Sequence, residues 1–258
     1  MAVSLLERFV VGELFAFLMI FCRVGAGIMI LPGFGEAYVS PRIRLVFALA
    51  MSLVMVPLFG MKMPPLPGSP LALFVLIMAE TLVGLFIGFF SRMIISALHI
   101  AGSIIAFQSS LSLASMLDIS QAVQSTMIGN FLTITTIVVF FGLDMHHLML
   151  NGLADSYTLF PPGTFPNPGD MSEHLFKVFS QVFEMAIQLS APHLVFALLF
   201  YLSAGVLARL MPTMQVFFVF MPLQIGIAFF LLLACLTTII FTYSNFTEDL
   251  LRSFLQPE

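Results

Sequence analysis

The stretch from Leu223 to Tyr243 carries no charge and no proline, and Gly226 is its one weak helix former. A helix of ~20 apolar residues crosses the hydrocarbon core of a bilayer, so this run alone predicts a membrane span. Nothing about the rest of the chain offers a soluble alternative. Of 258 residues, 60% are hydrophobic and only 9% charged, and mean hydropathy is +1.10. A soluble domain covers its surface with about 25% charged residues. The expected fold class is therefore all-α, a polytopic membrane protein of helical hairpins.

Reading between charges and proline clusters gives further helical runs at Phe9–Leu31, Leu45–Phe59, Leu71–Phe90, Met93–Phe107, Met127–Leu150 and Leu175–Leu207. Several are awkward for a simple bundle. Leu45–Phe59 and Met93–Phe107 are short, and Leu175–Leu207 is long with Pro192 in its middle, where the missing N–H predicts a kink. The first run is expected to be retained as a helix: Glu7, Arg8 and Glu13 interrupt it, and no small-residue cleavage site follows.

The connections differ in character. Val56–Pro70 and Phe160–Gly169 are proline-rich, which predicts irregular chain. Phe107–Thr126 (FQSSLSLASMLDISQAVQST) is rich in serine and glutamine, holds one charge, Asp118, and lacks Pro and Gly. Basic residues fall in nearly every connection, so they do not fix orientation. Asn151–His174 is the exception: it is acidic without Lys or Arg, and we place it on the non-cytoplasmic side.

Net charge is −4, and no basic cluster exceeds Arg42 with Arg44, which excludes the basic stripe of a nucleic-acid surface. Cys22 and Cys235 both lie in apolar runs and read as small buried hydrophobes. The 30 Phe and 18 Met have two readings, gap-fillers between helices or a deformable apolar lining around an object of variable shape.

Ionisable residues within apolar helices are costly and so informative. Glu80, Gly84, Gly88 and Ser91 fall within about 80° on a helix of 3.6 residues per turn. Small residues there let another backbone approach, and Glu80 can bond across the contact; we favour a tight helix–helix seam over an ion site. Glu13 and Arg23 are too far apart to pair along one helix, so each needs a partner elsewhere, another subunit included. Asp144, His146 and His147 are the one ligand-like cluster, but HExxH is absent and adjacent histidines diverge on a helix, so no metal is expected. The chain has no GxSxG, CxxC, GxGxxG or P-loop, leaving an enzyme without a nucleophile or base. No cofactor is expected.

At Ala208–Gly226 the chain reads ARLMPTMQVFFVFMPLQIG. This resembles the signature of the FliR family of flagellar export-gate proteins, which includes the matching injectisome subunit. Its pattern is approximately A-R-x-M-P-x-M-N-V-F-F-V-x-x-P-L, and Gln215 stands where Asn is usual. The resemblance continues in LPGFGEAYVSPRIRL (Leu31–Leu45) after Arg23, in AETLVGLFIG (Ala79–Gly88), in IAGSIIAFQSSLSLASMLD (Ile100–Asp118) and in GLDMHHLMLNGLADSYTLFPPG (Gly142–Gly163). In the third of these, Ser109 replaces a frequent Gly; Ile119, just beyond it, replaces a frequent Pro.

The resemblance implies one export-gate domain over residues 1–258, similar to a fusion of the FliP and FliQ folds. Its helices would pack in a cone raised largely above the membrane plane, where short or proline-broken helices are buried against protein. It implies assembly with FliP-like and FliQ-like subunits and an FlhB-like switch protein in the bacterial inner membrane, at the flagellar basal body. Unfolded flagellar proteins would pass through the pore, driven from elsewhere. Residues 107–126 correspond to the family's plug loop, with Phe107, Gln108, Ser109, Ser110, Leu111, Met116 and Asp118 as plug residues. Glu80, Gly84, Gly88, Arg209, Pro212 and Pro222 are the expected packing and assembly residues. The rival reading is a small-solute secondary transporter, which predicts paired half-repeats with interrupted helices and a midplane ionisable site. The sequence shows no repeat, and Glu80 and Arg92 are the residues that keep the rival open.

Overall fold

Three of the helices start where a capping side chain is followed by proline. Proline at the first helical position loses an N–H that has no partner there anyway, and the residue before it uses its side chain to satisfy another. Ser40 is extended (ψ 143°) and accepts from the Ile43 N–H at 3.4 Å, with Pro41 opening the helix. Ser69 accepts from Ala72 N–H at 3.2 Å ahead of Pro70. Asn167 Oδ1 accepts from Gly169 N–H at 3.0 Å beside Pro168.

The computed structural model describes residues 2–111, 127–211 and 216–255. Among them the helices are α1 (Ala2–Ile30), α2 (Pro41–Phe59), α3 (Pro70–Gln108), α4 (Met127–Gly142), α5 (Met145–Leu159), α6 (Pro168–Leu210) and α7 (Val216–Leu255), with a short 3₁₀ turn at Gly60–Lys62 and no strand. Five helices are long and apolar enough to cross a membrane, and α4 with α5 qualify as a broken sixth. The protein is thus all-α and polytopic.

The structure divides the helical runs differently from the sequence reading in two places. The runs Leu71–Phe90 and Met93–Phe107 are one helix, α3. Arg92 does not interrupt it, because its guanidinium lies at the surface, 3.8 Å from Glu36 and 3.5 Å from the Ile30 carbonyl. Conversely, Met127–Leu150 is not one helix. Asp144 takes a left-handed conformation (φ 58°) and separates α4 from α5. The proline-rich connections are also shorter than expected, since Pro57 lies inside α2 and Pro168 inside α6.

The turn after α1 is equally specified. Gly33 has φ 80°, a region that glycine enters without steric cost. A Cβ on Gly35 would lie 2.5 Å from the Met29 carbonyl oxygen. Arg44 then fixes the rest of the turn, donating to the carbonyls of Glu36 (2.9 Å) and Val39 (2.8 Å).

The chain divides into two compact units, one of Met1–Ile94, Asp144–Val178 and Leu250–Glu258, the other of Ile95–Leu143 and Phe179–Asp249. In the first, Met19, Ile20, Val24 and Ile28 of α1 and Val83 of α3 are wholly buried, as is Leu153 of α5. In the second, α3 meets α4 through two glycines: a Cβ on Gly102 would sit 2.5 Å from Gly129 Cα, with Leu98, Ala101, Ile105 and Leu132 buried around them. Van der Waals packing drives helix association in lipid, so such small-residue contacts carry much of the stability. Gly102→Val forces α3 and α4 apart and is expected to cost about 1–3 kcal/mol, the range for overpacking. Gly226→Ala, which meets open space, is the control. Thermal melting of the purified membrane protein reads both, and equal melting temperatures would overturn this account of the contact.

Candidate functional site

Glu80, Gly84 and Gly88 recur every fourth position of α3 and so line one stripe. The stripe lies against α1. A Cβ added at Gly84 would overlap the Arg23 carbonyl oxygen, and one at Gly88 would lie 2.9 Å from both the Gly27 carbonyl and Ile30 Cβ. The two backbones are therefore in contact, and any side chain at Gly84 would separate them. From the other direction, a Cβ on Gly27 would meet Leu153 of α5 at 3.0 Å.

This closeness brings Glu80 within reach of Arg23. Arg23 Nε donates to Glu80 Oε2 at 2.6 Å, and both side chains are 1% exposed. The other two guanidinium nitrogens are engaged as well: Nη1 reaches the Ser156 carbonyl at 3.1 Å and Ser156 Oγ at 3.3 Å, and Nη2 reaches the Phe160 carbonyl at 3.1 Å. Glu80 Oε1 accepts from Gly163 N–H at 3.3 Å. Gly163 has φ 82° and packs on Pro64. The Arg23 guanidinium also lies 4.2 Å over the Tyr157 ring, whose other neighbour is Phe59 at 4.5 Å. Tyr157 Oη has no hydrogen-bond partner among the described residues, so its ring makes the contact.

The arrangement explains how two charges survive in an apolar interior. A buried ion is tolerated when a geometrically good counter-ion and further hydrogen bonds replace its hydration, and the planar fork of arginine supplies several donors in fixed directions. The reading that Arg23 needs a partner elsewhere is thus resolved within the chain, without another subunit. Glu13 is exposed on α1.

The second polar cluster lies in the other unit, at the C-terminal end of α3. Phe107 is exposed and Gln108 and Leu111 are half-buried, while Ser109 and Ser110 are buried. Ser110 is left-handed (φ 61°). Gln224 of α7 meets this end and is buried; its Nε2 donates to the Gln108 carbonyl at 2.6 Å and to Tyr201 Oη at 3.1 Å. Sequence reasoning passed over Gln224. The available signal was a single amide in the most apolar run of the chain, where an unpaired polar group is costly.

Other expected residues are placed as follows. Arg209, at the end of α6, and Pro222, inside α7, are exposed. Met116, Asp118 and Pro212 lie outside the described residues, as does most of the 107–126 segment. Asp144, His146 and His147 come together, with donor atoms within 4.8 Å of one another. His147 Nδ1 is 3.6 Å from Asp144 Oδ1, and both side chains are largely exposed.

Breaking the ion pair from one side leaves the other charge buried. Arg23→Leu is expected to cost about 3–5 kcal/mol. Arg23→Lys should recover little of it, since an ammonium cannot span these acceptors. Tyr157→Phe should be neutral. In a double-mutant cycle, Arg23→Leu with Glu80→Leu should cost less than the sum of the single changes. Additive losses in melting temperature would show that the pair is not coupled.

Comparison with known proteins places this geometry in a family. Residues 14–250 match the family model described as "Bacterial export proteins, family 1". The flagellar biosynthetic protein FliR of Caulobacter vibrioides is 35% identical over 236 residues, covering 92% of this chain and 94% of that protein. FliR of Bacillus subtilis is 32% identical, covering 93% and 94%. The Yop proteins translocation protein T of Yersinia pestis is 32% identical over 62% of each chain. With the model spanning both compact units and the flagellar relatives matching nearly end to end, the chain belongs to the FliR family of bacterial export proteins.

Proposed function

We propose that this chain is a subunit of the flagellar type III protein export gate, a membrane-embedded component of the pore through which unfolded flagellar proteins are secreted. The observation that carries the reading is the family match over residues 14–250. FliR of Caulobacter vibrioides and of Bacillus subtilis each cover more than nine tenths of the chain and the Yop protein 62%, which supports flagellar rather than injectisome service.

The structure supports the reading in two ways. Only 11% of the apolar window of α6 and 17% of those of α2 and α7 are buried within the chain, against 50% for α1. Such helices present apolar faces to lipid or to other subunits. The transporter reading needs a spare ionisable site, and Glu80 is instead neutralised by Arg23.

The finer reading is as follows. The subunit sits in the bacterial inner membrane at the flagellar basal body, beside FliP-like, FliQ-like and FlhB-like partners, and works without catalysis. Its fold is similar to a fusion of the FliP and FliQ folds, and residues 107–126 plug the pore. Glu80, Gly84 and Gly88 hold helices together inside the subunit. Arg209, Pro212 and Pro222 serve packing and assembly against neighbouring subunits.

In a cell lacking its own copy of the gene, the intact chain is expected to restore motility and to co-purify with its FliP-like partner. Deleting Ser109–Met116 is expected to leave export in place and to raise leakage of small ions. An ion-tight cell with normal motility after the deletion would overturn the plug assignment; failure to co-purify would overturn the assembly.

A further inference from the structure

The last four carbonyls of a helix have no partner within it, and at the end of α3 each has found one. Ile105 accepts from Ser109 N–H (2.9 Å), Phe107 from Ser110 N–H (3.3 Å) and Ala106 from Ser109 Oγ (3.1 Å). These donors are local. The fourth is not: the Gln108 carbonyl accepts from Gln224 Nε2 at 2.6 Å, a residue of another helix. The same amide receives the Ser110 hydroxyl on its oxygen at 3.1 Å, and its second N–H goes to Tyr201. Gln224 is 3% exposed, Ser109 1% and Ser110 6%, so the amide and the two serines are withdrawn from the surface, while Tyr201 stays partly exposed.

We infer that Gln224 is a positioning residue that clamps the C-terminal end of α3 and fixes where the chain departs from it. Three features carry this. The amide must donate and accept at once, donating to Gln108 and accepting from Ser110. Glutamate lacks the donors, and asparagine is one methylene too short to serve the same points. Ser110, held at φ 61°, is in a conformation that non-glycine residues adopt at a cost and that surrounding contacts must maintain; its bond to Gln224 is such a contact. Finally, Gln224 lies two residues after Pro222, where the helix has lost a backbone hydrogen bond, so the clamp connects the end of α3 to a weakened point of α7.

The consequence for the pore rests on the plug reading above, because residues 107–126 begin at this clamp. On that reading, loss of the clamp raises leakage of small ions.

The test uses the full chain in its assembled export complex, with Cys22 and Cys235 replaced. Leu111→Cys reports the clamp and Leu143→Cys, at the exposed end of α4, reports general loosening. Labelling by a water-soluble maleimide is compared in Gln224, Gln224→Glu and Gln224→Leu backgrounds. Gln224→Leu is expected to speed labelling at Leu111→Cys by about tenfold, the ratio for losing one or two buried hydrogen bonds, with Leu143→Cys unchanged. Gln224→Glu, which keeps the acceptor for Ser110, should fall between. Should Gln224→Leu not accumulate, Ser110→Ala and Gln224→Glu carry the same comparison. Equal rates across the accumulating variants, or equal acceleration at both cysteines, overturn the clamp. Faster labelling at Leu111→Cys without ion leakage upholds the clamp and removes the plug reading; leakage in the Ser109–Met116 deletion with unchanged labelling does the reverse.

Discussion

The ion pair between Arg23 and Glu80 exists because two backbones touch. Taking each charge out of water costs several kcal/mol even after relaxation, and the return depends on distance and on the number of bonds made. The 2.6 Å contact is available because Gly84 and Gly88 let α3 lie against the carbonyls of Arg23 and Gly27. A larger residue at Gly84 would draw the carboxylate away from the guanidinium, and both charges would then be buried at a loss. The seam and the pair are therefore one interaction, with steric and electrostatic halves. From it follow the placement of α5, through Ser156 and Tyr157, and of the turn after it, through Phe160 and Gly163.

Much of this was legible in the sequence, and the reasons for what was not are instructive. Helical periodicity grouped Glu80, Gly84 and Gly88, because position along a helix fixes direction around it. The partner was not legible, since Arg23 lies in a separate helix and only tertiary geometry selects it. Ser156 and Phe160 contribute carbonyls, which every residue has, so no residue type marks them. Charge misled at Arg92: a break was read where a long side chain merely carries its charge to the surface near Glu36. It was under-read at Asp144, where a short side chain tolerant of the left-handed region ends one helix and begins the next. The structure starts helices at Ser40-Pro41, Ser69-Pro70 and Asn167-Pro168, a signal that the reading of the last two as irregular connection overlooked.

Gln224 illustrates a different limit. Averaged hydropathy over Leu223–Tyr243 is dominated by its aliphatic and aromatic neighbours, so one amide hardly lowers it. Its significance lies in pairing: an amide in an apolar run either meets complementary groups or destabilises the helix. The four carbonyls at the end of α3 supply the demand, and Ser109 and Ser110 meet most of it locally. The sequence showed serines after an apolar helix but not that the last carbonyl would require a donor from elsewhere.

The two clusters use polar groups of different strength for different ends. Charge-assisted bonds are roughly twice as strong as neutral ones, and losing one member of a buried pair costs about 3–5 kcal/mol. A seam built on Arg23 and Glu80 is accordingly costly to break from one side. The contacts of Gln224 with Gln108, Ser110 and Tyr201 are neutral, each contributing about 0.5–1.5 kcal/mol net. Releasing them leaves no charge stranded in the apolar interior. A helix end held in this way rests on weaker contacts than the charged seam does. The seam of α1 and α3 is thus set by charge, and the C-terminal end of α3 by neutral bonds.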